Sequence, residues 1–129
     1  MDFVRGSCFW LENSRNGYEH FHIAISKPVN NVILVVNISH YYRTPRPGHV
    51  QDTTCLLSPG EHECVRKPSL VKYSEAFLAS IPALRRQLEL GLLREAVAAS
   101  NNLLRKIQEG AKRSPFLKGK CKAFFQYFD

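Results

Sequence analysis

No stretch of the chain approaches the roughly 20 apolar residues that a membrane-spanning helix needs, so no membrane partner is expected. The opening Met1-Asp2-Phe3-Val4-Arg5-Gly6 has no basic region followed by an apolar run. No secretory signal is therefore expected, and a cytoplasmic location follows by default. Cys8, Cys55, Cys64 and Cys121 include no Cys-x-x-Cys pair, and the Cys/His spacings fit no zinc-ligand pattern. Neither a metal nor another cofactor is expected. Cys55 and Cys64 flank Pro59-Gly60 and could meet across a hairpin, but reduced, buried thiols are the expected state of all four. The chain also lacks a glycine-rich phosphate loop, a Ser-His-Asp order and a zinc-protease motif.

Basic residues outnumber acidic ones in one half only. Residues 1–66 carry six Lys/Arg against six Asp/Glu, whereas residues 67–129 carry twelve against five, so the whole net charge of +7 sits in the second half. That asymmetry favours a polyanionic partner, nucleic acid or an acidic protein. The same counts also fit helix faces that are merely solvated.

What is present reads as one compact α+β domain. Its 129 residues, 44% of them hydrophobic, suffice to bury a core without staples. Residues 1–66 read as strands and turns, a small antiparallel SH3-like barrel or bent sheet of about five strands. Residues 67–129 read as helices packed on it. In His20-Phe21-His22-Ile23-Ala24-Ile25 alternation places Phe21, Ile23 and Ile25 on one face and His20, His22 and Ala24 on the other. Lys27-Pro28-Val29-Asn30-Asn31 reads as a turn. Val32 to Ile38 is β-branched and almost wholly apolar, the pattern of a central strand covered on both faces. Asn13 to Gly17 reads as a link, and His40 to Gln51, with two Pro and a Gly, as a long surface loop. Thr53–Leu57 and His62–Val65 are expected to pair as a hairpin around Pro59-Gly60. Ser69 is expected to cap a helix over 70–80, with Leu70, Tyr73, Phe77 and Ile81 at helical spacing. Pro82 opens a second helix. A third is expected from Glu95 to Glu109, ended by Gly110. Phe124, Phe125, Tyr127 and Phe128 in the basic tail are expected to dock on the sheet or on a partner, a second copy included.

Three groups carry chemistry. His20 and His22, two apart on a strand, put both imidazoles on one face about 7 Å apart, fit to share acid and base roles in RNA cleavage. On a half-solvated strand the same pair is simply polar surface. His62, beside Glu61 and Glu63, would face Thr53 or Thr54 across the hairpin, where a hydroxyl could position a phosphate. Without that partnership these side chains only cap the turn. Arg43, Arg46, Arg66 and Lys67, with Tyr42 for stacking, form a set able to grip a nucleic-acid strand or to stabilise charge at a scissile phosphate. Exposed salt bridges are the plain alternative.

Asp52-x-Thr54-Cys55-x-Leu57-x-Pro59-Gly60-Glu61-His62, followed by Lys67-Pro68-Ser69-x-Val71-x-Tyr73, resembles a motif of a family of small bacterial proteins. That family often has His where this chain has Lys67. More distantly, the order of strands followed by late helices is similar to the plasmid-maintenance toxins MazF, PemK and CcdB. This likeness implies an SH3-like barrel, metal-independent cleavage of single-stranded RNA and a cognate antitoxin. Those ribonucleases usually carry Arg-Pro at the start of their second strand, where this chain has His20-Phe21-His22, so their catalytic arginine does not carry over. The two-histidine phosphoesterases need Thr or Ser two residues after each motif His, whereas Ala24 and Cys64 stand there. The expected function is therefore a toxin-like endoribonuclease acting through His20, His22, Thr54 and His62. The alternative is a non-catalytic nucleic-acid or protein binder using the basic half.

Overall fold

The computed structural model describes residues 1–12 and 17–129; of the link expected over 13–17, residues 13–16 lie outside the described residues. Six strands, β1 (Cys8–Glu12), β2 (Glu19–Ala24), β3 (Val32–His40), β4 (Leu56–Leu57), β5 (Ser69–Ser80) and β6 (Leu93–Ala96), form one antiparallel sheet. Their order is β4-β5-β3-β2-β1-β6, and the sheet curls into a half-barrel that stays open at β4 and β6. The α+β class with mainly C-terminal helices is as expected. No helix among the described residues is long and apolar enough to cross a membrane.

Alternation sorts the strands between two cores. Phe21, Ile23 and Ile25 join Leu34, Val36 and Ile38 on one face. Ala24 joins Ile33 and Val35 on the other. β3 is thus buried on both faces, as its β-branched sequence demands. The turn before it uses positive φ at Asn30 (50°) and Asn31 (62°), which asparagine tolerates better than most residues. The first face is covered by α2 (Asn101–Arg113), through Leu103, Leu104 and Ile107, and by Phe128 of the tail. The second is covered over one end only, by α1 (Ile81–Glu89), through Ile81 and Leu84. Ser80 caps α1 by accepting from Ala83 N, with Pro82 in the first turn, and Ser100 caps α2 by accepting from Leu103 N. A short helix α3 (Gly119–Lys122) and a 3₁₀ turn (Ala123–Tyr127) follow. The tail docks as expected: Phe128 is 3% exposed and its carbonyl accepts from Arg5 Nη1 and Gln108 Nε2.

Four expectations are corrected. Residues 69–80 form the longest strand, not a helix. Val35 pairs with Phe77 and Asn37 with Lys72, so Tyr73 to Ala76 stand opposite the single Val36 as a bulge. Val71, Tyr73 and Ala76 all reach the first core. The bulge breaks the alternation there and leaves helix-like spacings of three and four. Next, β4 pairs with Leu70 and Ser69 of β5, and His62–Val65 is a turn rather than a return strand. Third, Leu93–Ala96 is an edge strand on β1, so α2 begins only at Asn101. Finally, Gly110 lies within α2 and does not end it; Ser114 is the cap.

Gly110 is instead a contact residue. Tyr73, fully buried, donates from its hydroxyl to Ile107 O at 2.7 Å. A Cβ at position 110 would run into that hydroxyl and into Cys55 Cβ. The 52–62 motif supplies further ties to the same helix. Asp52 accepts from Ser114 Oγ at 2.6 Å, and Lys106 Nζ meets Glu61 at 2.9 Å. All four cysteines are free thiols. Ala is a better helix former than Gly by about 1 kcal/mol, so Gly110→Ala tests the contact by sign. We expect a net destabilisation of about 2 kcal/mol from overpacking, read from urea unfolding; a gain in stability would show that the helix does not press on Tyr73.

Candidate nucleic-acid interface

The loop after β3 and the turn before β5 arch over one end of the sheet. They enclose a cavity of about 1360 Å³ that Tyr42, Arg46, Arg66 and Lys67 line together with Trp10 and Arg94. Arg43 is exposed but does not line it. The loop is held by a two-way amide clasp: Tyr42 N donates to Gln51 Oε1 at 2.8 Å and Gln51 Nε2 to Tyr42 O at 2.7 Å. Gly48, at φ +83°, turns it back. Tyr42 is left 61% exposed. Arg94 is spoken for: it makes two 3.0 Å bonds to Glu19 and lies 5.7 Å over the Trp10 ring. Arg46, Arg66 and Lys67 are exposed and make no ion pair among the described residues. Unneutralised cations around a concave wall carrying aromatic rings make a surface suited to a phosphate backbone and unstacked bases.

His20 and His22 share a face, as alternation requires. It is the second face, at the end that α1 leaves open. There a smaller cavity of about 480 Å³ is lined by both histidines with Asn37, Lys72, Glu75 and Phe77. His22 is 7% exposed, stacked at 5.5 Å on Phe9 and edge-on to Phe77. Its Nδ1 lies 2.8 Å from His20 O. A carbonyl only accepts, so Nδ1 carries the proton and Nε2 the lone pair. Burial pushes the His22 pKa down to about 4, against a smaller opposing effect of that bond. The ring is therefore neutral at physiological pH. His20, half-buried, borders both cavities, as do Ser39 and Lys72.

His62 and Thr54 stand apart from this pair. His62 packs on Phe21, whose ring is in the opposite core, with centroids 4.9 Å apart. Both its nitrogens are engaged: Nε2 donates to Val97 O at 2.7 Å and Nδ1 accepts from Cys64 N at 2.9 Å. It ties the motif turn to the segment leading into α2. Thr54 donates its amide to Asp52 Oδ1 at 3.0 Å and lines neither cavity. The hairpin that would have brought His62 to Thr54 does not form, so the four proposed catalytic residues do not assemble.

Asn37, Lys72 and Glu75 were not singled out by sequence reasoning. Asn37 left a readable signal, as the one polar side chain in the run Val32–Ile38. Glu75 left none, because only the bulge in β5 brings it to within 2.6 Å of Asn37.

No protein-family model, no curated protein and no solved structure matches the chain in the three comparisons.

The buried His22 makes folding depend on pH. The unfolded chain takes up this proton near the ordinary 6.5, the folded chain only near 4. Between these values the unfolded state binds more protons, so stability falls as pH drops through the window. His22→Gln should remove about 3 kcal/mol of the loss between pH 7.5 and 4. Urea unfolding of both proteins at the two pH values checks this; an equal decline in the variant would assign the effect to another group.

Proposed function

We propose that the chain binds single-stranded nucleic acid in the cavity under the 41–55 loop. One observation carries this reading: four of the five residues selected for strand binding, Tyr42, Arg46, Arg66 and Lys67, line a single cavity that also exposes Trp10. The three cations among them are free of carboxylate partners among the described residues. Arginine and lysine meet phosphates there, and Tyr42 offers a ring to a base. Such binding releases counterions, so affinity falls with salt.

A second reading, cleavage of the bound RNA, is favoured by a different observation. The strand cavity and the histidine cavity meet at His20, Ser39 and Lys72. A phosphate following the groove would arrive between the His20 imidazole and the Lys72 ammonium, which Glu75 holds at 3.0 Å. Of the original catalytic set, His20 keeps the role on this reading. His22 positions it, through the bond to the His20 carbonyl. Neutralisation by an acidic antitoxin protein would fit the same basic groove.

Titration of labelled single-stranded RNA at several salt concentrations tests binding. We expect a linear fall of log affinity with log salt, and a slope reduced by about 0.7 in each of Arg66→Ala and Lys67→Ala. Salt-independent binding, or no binding, would sink the proposal. Incubation with chelator present tests cleavage: scission by the native chain and none by His20→Ala is expected. Intact RNA in both, with no growth arrest on expression, would leave the binding reading alone.

A further inference from the structure

Asn37 is 6% exposed, in the middle of the sheet. Its Nδ2 donates to Glu75 Oε2 at 2.6 Å. A carboxylate only accepts, so this bond decides which way the amide points: nitrogen toward Glu75, Oδ1 away. Oδ1 is buried and finds no partner among the described residues. That atom is closed to solvent, so Asn37 serves the cavity through its Nδ2 bond, which orients the Glu75 carboxylate. On the far side of the same carboxylate, Lys72 Nζ lies 3.0 Å from Glu75 Oε1. The cavity therefore presents three polar atoms in a row: the Lys72 donor and the two acceptor oxygens of Glu75, the second of them fixed by Asn37 Nδ2. Each Glu75 oxygen keeps a second acceptor site beyond the bond it already makes. His22 and Phe77, packed edge to face, border this row. At about 480 Å³ the space suits a single base or nucleoside.

We propose that this cavity takes an unstacked guanine base from a bound single strand. The proposal deepens the nucleic-acid reading and rests on it for the strand that delivers the base; the two cavities share His20, Ser39 and Lys72. Guanine presents along its Watson–Crick edge one acceptor, O6, and then two donors, N1–H and N2–H₂. Set against the row, O6 meets Lys72, N1–H meets Glu75 Oε1 and N2–H₂ meets Glu75 Oε2. Adenine and cytosine each place a ring-nitrogen acceptor beside their one amino group. Uracil flanks its single N–H with two carbonyls. Each of these sets an acceptor against a carboxylate oxygen, which repels it and leaves a pair unmade.

The test uses the intact chain and a labelled oligouridine of about eight nucleotides. One central position is kept as uridine or replaced by guanosine, inosine or adenosine. We expect the guanosine strand to bind about tenfold tighter than the uridine strand. Inosine, which keeps O6 and N1–H but lacks the amine, should fall between them, and adenosine should bind like uridine. In Glu75→Ala, a change at a half-exposed side chain, the ratio of guanosine to uridine affinities should fall to about one. Strands that all bind alike would overturn the base pocket while leaving the groove standing, as would a guanosine preference that survives Glu75→Ala. If no strand binds, the groove reading fails, and guanosine and adenosine monophosphates decide the pocket by NMR. A shift of the Asn37 side-chain amide with the guanine nucleotide alone supports it; no shift, or equal shifts with both, overturns it.

Discussion

The contact on which the rest depends is the one between Tyr73 and the backbone of α2. A fully buried tyrosine must place its hydroxyl, and here the partner is the Ile107 carbonyl. The bond is reached only because position 110 has no side chain to hold helix and strand apart. Once α2 sits that close, Leu103, Leu104 and Ile107 fill the concave face of the sheet. Its C-cap Ser114 then meets Asp52, and Gln108 reaches the carbonyls of Ile25 and Phe128. The dense motif from Asp52 to His62 is thereby explained as a set of ties to the helix and its approach. Asp52, Cys55, Glu61 and His62 all reach residues between Val97 and Ser114.

With one face closed by α2, polar groups that face water must gather elsewhere. The bulge in β5 decides where. By setting Tyr73 to Ala76 opposite Val36, it lets both Tyr73 and Ala76 point into the core and frees Glu75 to approach Asn37 from the other face. α1 covers only one end of that face, through Ile81 and Leu84. The other end keeps His20, Lys72 and Glu75 within reach of solvent, with Asn37 buried behind Glu75, next to the larger cavity. One irregularity in one strand thus both completes the core and creates the polar row.

The histidines show how hydrogen bonding separates residues of one type. His62 has a carbonyl on one nitrogen and an amide on the other, which leaves it a structural group. His22 has one nitrogen bonded and its ring packed between Phe9 and Phe77. His20 is half-buried at the meeting of the two cavities, and it alone among the three borders both.

Local pattern was enough for several features. Alternation assigned Phe21, Ile23 and Ile25 to one face, with His20 and His22 on the other. The β-branched run Val32–Ile38 was legible as a strand buried on both sides, Pro82 as a helix opening, and the Phe-rich tail as a docked segment. Composition selected Tyr42, Arg46, Arg66 and Lys67 as a set, which the cavity then gathers. Local pattern failed where partners at long sequence separation set the conformation. Residues 69–80 have helix-like spacing only because a bulge against Val36 interrupts their alternation, and β3 supplies the pairing that makes them a strand. β4 pairs with β5 and not with the nearer His62–Val65, where His62 bonds Val97 instead. Gly110 looks like a helix end by residue type and is a contact by geometry. Residue types determined which faces were apolar and which groups could grip a strand. Only the tertiary structure decided that His62 is tied into the fold, because a hydrogen bond made across 35 residues is invisible to any local pattern.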